Sequence, residues 1–327
     1  MSSGSRAVDT IAPSGCNRTM PAAPPLSRPA YLLLVLAFCL TWSSAFPAAK
    51  IAIGVSPPSL FLGARFLVAG LLLTAWALVR GELRGRVPWL ALLLLGVANQ
   101  AGYQGLAWQG MRSTTAGLAT IISSLNPILI AALAAPLLGE AMSWRKLAGL
   151  LLGLAGAAFV VRNRIGLGED PAGIVWLVLA LVSMIVGTLA FKLLAPAVSL
   201  TAAVGVQQLG AGAVLLAAGA LTEDPSQVRP GWTAALVMLW FVAVISIGAM
   251  LLWFRLLRDG TASSASALHF LMPPLGVAMS WAALGERVSP LDLLGIVPVA
   301  LGIWLATRPE PRAAARLTPS RRPAPSG

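Results

Sequence analysis

Within an otherwise almost wholly apolar stretch, Asn99, Gln100, Tyr103 and Gln104 stand at spacings i, i+1, i+4 and i+5. On an α-helix those positions share one face, so four hydrogen-bonding side chains would line one side of it. Such a face suits a small polar solute; its other use is hydrogen bonding between helices, worth about 0.6 kcal/mol per contact in a bilayer. Arg65 stands inside another apolar run. A guanidinium there can grip a carboxylate through two parallel N–H bonds, or bind backbone carbonyls and brace the fold. Gln207 and Gln208 occupy a comparable place in the second half of the chain. Trp42, Trp108 and Trp240 are candidates for the apolar wall of a cavity or for stacking on a solute.

Pro127 and Pro273 each fall inside an apolar run. Proline removes a backbone donor and clashes with the carbonyl four residues earlier, here Ser123 and His269. Each site is therefore a predicted helix kink with a freed acceptor beside a polar side chain, and Asn126 adds an amide to the first. His269 is the one histidine of the chain, and imidazole alone among side chains ordinarily titrates near neutrality. It is a candidate carrier of a coupling proton, with a hydrogen-bonding role in the cavity as the other reading. Lys50 closes the first apolar run, either as an interfacial lysine reaching for water or as a positive rim. Glu140 and Glu286 lie at run ends, where capping is the expected role.

The wider composition decides what surrounds these residues. Of 327 residues, 57% are hydrophobic and 10% charged, against about 25% charged in ordinary soluble domains. Mean hydropathy is +0.83, too high for one soluble globule. Cys16 and Cys39 are the two cysteines, too few for a disulfide framework; with one histidine they cannot build a metal cluster either. No G-x-x-x-x-G-K-[ST] loop is present, so neither nucleotide, metal nor other cofactor is expected. A net charge of +12 beside long apolar runs points to a membrane surface rather than nucleic acid.

A span needs roughly 20 mostly apolar residues. Ten such stretches occur: Ala30–Lys50, Ser59–Val79, Pro88–Trp108, Ser113–Leu137, Trp144–Val161, Ala172–Leu194, Ala197–Leu221, Trp232–Leu257, Thr261–Leu284 and Pro290–Thr307. They predict an all-α polytopic membrane protein. Residues 1–29 read as a disordered leader and 308–327 as a basic tail. With both termini in the cytoplasm, most of the 23 Lys and Arg residues fall on the inner side, which the positive-inside rule favours. The expected location is the cell membrane.

Displacing the sequence by 146 positions lays Thr115-Ala116 on Thr261-Ala262, Leu125 on Leu271 and Pro127 on Pro273. Leu138-Gly139-Glu140 falls on Leu284-Gly285-Glu286, Gly149 on Gly295 and Gly156 on Gly302. Two five-span repeats, 30–162 and 172–307, follow. Five is odd, so the second copy must enter the bilayer inverted, an arrangement common among secondary transporters. Consistently, Arg145-Lys146 falls on Leu291-Asp292. Gly149, Gly153 and Gly156, with Gly295 and Gly302, form small-residue faces for close packing within the chain, a homodimer contact being their alternative use.

The set Thr41-Trp42-Ser43-Ser44-Ala45-Phe46, Lys50, Arg65, Leu125-Asn126-Pro127 and the repeated Leu-Gly-Glu resembles EamA-type permeases of the drug/metabolite transporter superfamily. The resemblance covers about residues 30–307 and implies ten spans in two repeats. It also implies gradient-driven movement of small metabolites, frequently amino acids and mostly outward. The second copy lacks the Trp, Lys and Arg of the first, so no substrate is transferred. The expected function is a secondary active transporter with a small-molecule solute, membrane lipid and a coupling ion, H+, as partners. The alternatives are a membrane sensor or structural protein without transport, and an intramembrane enzyme built on Ser263, Ser264, Ser266 and His269. That last reading lacks an orienting carboxylate or a nucleophile elbow.

Overall fold

The structure, a computed structural model, describes residues 28–83, 87–126, 128–130, 132–133, 143–194, 198–249, 252 and 272–307. The predicted tail, all but the last two residues of the predicted leader, and Pro127, Glu140 and His269 lie outside the described residues. The helices are α1 (Arg28–Val55), α2 (Pro58–Val79), α3 (Trp89–Gly96), α4 (Tyr103–Met111), α5 (Ala116–Ser123) and α6 (Trp144–Gly166). They continue as α7 (Pro171–Leu194), α8 (Leu200–Thr222), α9 (Trp232–Leu239), α10 (Met272–Leu284) and α11 (Pro290–Thr307). No strand occurs among the described residues.

Local sequence explains the helix ends. Pro57-Pro58 places a proline in the first turn of α2, where its missing N–H costs nothing. Thr115, Ser143 and Ser199 cap α5, α6 and α8, each hydroxyl accepting the amide three residues on, the usual relief for an orphan helix donor. Gly81, Gly168 and Gly285 take positive φ just past helix ends.

Each of the ten predicted stretches carries helix among the described residues. Among the described residues, six candidate spans are long and apolar enough to cross a membrane: Leu36–Val55, Pro58–Val79, Trp144–Gly166, Pro171–Phe191, Leu200–Thr222 and Trp232–Ala249. Met272–Leu284 and Pro290–Leu305 are shorter apolar helices. The run Trp89–Met111 departs from one regular helix, because Val97–Gly102 is π-helical between α3 and α4. Trp240–Ala249, after α9, is π-helical too, and the repeat offset lays the first π segment inside the second.

Glycines hold the helices together. A Cβ on Gly63 would meet Leu216, on Gly70 Leu209, on Gly212 Leu67 and on Gly205 Thr74, all at 2.6–2.8 Å from the nearest atom. As the number rises along α2 it falls along α8, so the two helices are antiparallel. The contacts are also reciprocal: Gly63 and Gly70 stand to α8 as Gly205 and Gly212 stand to α2. Between α6 and α11 the same holds. Gly156 abuts the carbonyl of Gly295 while Gly302 abuts that of Gly149. In α7, Gly187 lets Asn99 approach, and Gly173 sits against the carbonyl of Gly110. Small residues of this kind let backbones pack closely where lipid supplies no hydrophobic drive.

Replacing Gly70 by Leu should lower thermal stability in detergent, by about 1–3 kcal/mol in overpacking strain. Gly54→Ala, where the added Cβ meets nothing within 4 Å, should leave the melting temperature in place.

Candidate functional site

Arg65 is buried in the interior, 2% exposed. Its Nε donates to Ser246 Oγ at 3.1 Å and its Nη1 to Gln104 Oε1 at 2.7 Å. The guanidinium carbon lies 4.7 Å from the ring centre of Phe66 and 4.4 Å from that of Phe241. Such cation–π contacts contribute roughly 0.5–2 kcal/mol each. A guanidinium has five N–H donors; here Nε and Nη1 bond neutral side chains, and among the described residues no carboxylate pairs with the charge.

This polar layer draws one residue each from α2, α4 and the second π segment. One helical turn away, in the same three elements, lies an aromatic layer of Phe61, Trp108 and Phe241. Phe61 stacks on Trp108 at 5.6 Å, and Phe241 lies 5.3 Å from Trp108 and 6.0 Å from Phe61. All three are under 5% exposed. The five-residue step from Phe241 to Ser246 is one turn of a π-helix, whereas Phe61 to Arg65 and Gln104 to Trp108 are α-helical turns. A π insertion is a common device at functional sites. Ser246 and Phe241 escaped the sequence reading, although the repeat offset places Ser246 on Gln100.

The predicted polar face of Asn99, Gln100, Tyr103 and Gln104 fans out. Gln104 meets Arg65, the Tyr103 hydroxyl pairs with Ser123 of α5, and Asn99 packs against Gly187 of α7. Gln100 Oε1 and Asn126 Oδ1 are buried with no partner among the described residues, as are Ser43 Oγ, Thr74 Oγ1 and Gln208 Oε1. Gln207 and Gln208 are each 3% exposed in α8, the former with its backbone against Gly96. Trp42 stands apart from this group, packed on Phe38 at 5.6 Å in a small cluster with Leu252 and Met272. Pro273 is buried in the first turn of α10.

Lys50 neither hangs in water nor forms a bare rim. Half-buried, its Nζ donates to the carbonyls of Met111 and Thr114 at 2.6 and 2.8 Å, clasping the α4–α5 turn. Glu286 accepts the amides of Ala116 and Gly117, and Glu169 accepts the amide and hydroxyl of Thr115. Two carboxylates thus sit on the positive end of α5. Glu223 does the same for α2, taking the amides of Ser59 and Leu60. Asp170 takes the amides of Ala172 and Gly173 at the start of α7; the Ser113 hydroxyl and then the Ala172 amide hold it below the usual carboxylate range. Arg164 of α6 pairs at 2.7 Å with the fully buried Asp292 of α11.

A buried polar layer, with orphan acceptors inside a bundle of membrane-length helices, belongs to the class of multi-pass membrane proteins that handle polar solutes. The model of the EamA-like transporter family matches residues 29–162 and again 171–308, and the chain belongs to that family. YvbV, an uncharacterized transporter of Bacillus subtilis, is 32% identical over 86% of this chain and 92% of its own length. A probable terminal-alkyne amino-acid exporter of Streptantibioticus cattleyicolor is 30% identical, over 82% of this chain and 90% of that protein. An S-adenosylmethionine/S-adenosylhomocysteine transporter of Chlamydia muridarum is 25% identical, with 86% and 93% covered. One crystal structure aligns at TM-score 0.63 and 24% identity over 86% of this chain and 97% of that one, a likeness of fold. The protein is a multi-pass membrane transporter.

Asp292→Asn removes the nearer counter-charge of buried Arg164 and leaves it Glu169 at 3.8 Å, so it should destabilise the fold by about 1–3 kcal/mol. Replacing both, as Arg164→Met with Asp292→Leu, should restore much of that loss in a thermal unfolding series.

Proposed function

We propose that the protein is a secondary transporter that exports a small carboxylate-bearing metabolite of amino-acid type. Its ten spans form two inverted five-helix halves that rock about a central site, both termini are cytoplasmic, and a proton gradient supplies the energy. The observation carrying this reading is the buried Arg65 guanidinium, whose Nε and Nη1 bond neutral side chains and which meets no carboxylate among the described residues. An incoming carboxylate would pair with the guanidinium, and orphan oxygens such as Gln100 Oε1 and Asn126 Oδ1 are suited to accept from an ammonium group. Burial strengthens both attractions, because the effective dielectric is low.

The reciprocal antiparallel seams of α2 with α8 and α6 with α11 support inversion of the halves. The relatives named as an amino-acid exporter and as an S-adenosylmethionine transporter support the substrate class. For coupling, the candidate is His269, whose unperturbed pKa lies within the working range of a proton gradient. A bracing role for Arg65 is the competing use of the same side chain.

Proteoliposomes with an imposed pH gradient and radiolabelled amino acids test the whole. Arg65→Lys keeps the charge but loses the planar fork. It should raise KM for a carboxylate solute by about tenfold or more, while transport of the corresponding methyl ester changes little. A brace would instead lower the rate for both compounds equally. His269→Ala should abolish the response to the pH gradient and leave solute counterflow intact; full coupling in that variant removes His269 from the mechanism.

A further inference from the structure

The two layers and the clasped helix ends lie in series. On the face carrying the α1–α2, α4–α5, α6–α7, α8–α9 and α10–α11 connections, a cavity of about 580 Å3 opens, lined by Pro57, Pro58, Arg112, Glu223, Asp224 and Arg229. Phe61 lies less than one helical turn beyond Pro58 along α2, and Arg65 one turn deeper still. The aromatic layer of Phe61, Trp108 and Phe241 therefore separates this vestibule from the polar layer. Its rings touch one another at 5.3–6.0 Å, so a solute can reach Arg65 from this side only after they part.

Trp108 stands one turn before Met111, the end of α4, so movement of that end relative to α1 would part Trp108 from its neighbours. Lys50 ties α1 to the carbonyls at the end of α4 and in the turn before α5. Glu286, from the α10–α11 connection, holds the first two amides of α5 at 2.8 and 3.0 Å. Each is a charge-assisted bond to a helix end, among the stronger polar contacts a protein makes. The groups surrounding the Glu286 carboxylate are those amides, the Lys50 ammonium and the Glu169 carboxylate that shares the helix end.

We infer that Lys50 and Glu286 form the latch of a gate on this face, and that the Phe61–Trp108–Phe241 layer is the plug they hold shut. The inference rests on the carrier reading, since a gate serves a site that alternates between two sides. Both residues act through the helices they bind and are positioning residues, remote from the solute.

The test uses the full chain in oriented vesicles with Cys16→Ser and Cys39→Ala, plus one reporter, Ser246→Cys, in the polar layer. A second reporter, Ser226→Cys at the vestibule, marks which side of the membrane bears the latch. A membrane-impermeant methanethiosulfonate is added to each side in turn. Glu286→Gln and Lys50→Met should each speed labelling of position 246 from the latch side by about tenfold, the loss of one or two charged hydrogen bonds. Arg287→Gln, at an exposed neighbour, should leave the rate unchanged. The two latch variants alter different helices, so one that fails to fold leaves the other to decide. Unchanged labelling in the folded variants, or equal acceleration from both sides or by Arg287→Gln, overturns the gate. Labelling reads opening without any solute: faster labelling with silent flux keeps the gate and removes the carrier.

Discussion

Everything in this molecule depends on how closely two helix backbones can approach where no side chain intervenes. Lipid tails are as apolar as leucine, so helices in a bilayer gain nothing by hiding leucines from their solvent. What remains is contact area. The glycines of α2, α6, α8 and α11 supply it, bringing backbone against backbone at Gly156 and Gly295 and at Gly149 and Gly302. These seams are reciprocal, so each repeat offers the same surface to the other. The seam of α2 with α8 also fixes the height at which Arg65 hangs.

A guanidinium at that height is costly, and the surroundings show how the cost is met. Two hydrogen bonds and two aromatic faces offset part of the lost hydration. None of them cancels the charge. Contrast Arg164, equally buried, with Asp292 at 2.7 Å: that pair is neutral and joins α6 to α11. Among the described residues, the same residue type thus stands once with a counter-charge, at Arg164, and once among neutral partners and aromatic rings, at Arg65.

Much of this was legible in the sequence. The apolar runs and the 146-residue offset locate the helices, because burial in lipid demands long apolar stretches and duplication preserves their spacing. Arg65 and Gln104 were identifiable from polarity alone. What escaped was set by geometry the letters do not encode. Asn99 lies against Gly187 of α7 while Gln104 meets Arg65 of α2, partners that a helical wheel does not encode. Lys50 looked interfacial because its partners, the carbonyls of Met111 and Thr114, belong to a backbone whose path only tertiary structure reveals. Phe241 and Ser246 carried no signal beyond the repeat register.

The repeat is symmetric in its scaffold and asymmetric in its chemistry. Allowing the second copy a slip of one turn, Gly63 and Gly70 correspond to Gly205 and Gly212, which brings Gln207 to the place of Arg65; Ser246 likewise answers to Gln100. Glycine positions recur because each helix of a seam needs its own points of close approach to the other, Gly63 and Gly70 on α2 and Gly205 and Gly212 on α8. The polar positions escape that constraint. Two guanidiniums near a common axis would repel each other in a medium of low dielectric. A single charge faced by neutral amides and hydroxyls avoids the repulsion while keeping donors and acceptors on both halves. Divergence of the polar residues on a repeated glycine frame thus leaves the two halves alike in packing and different in charge.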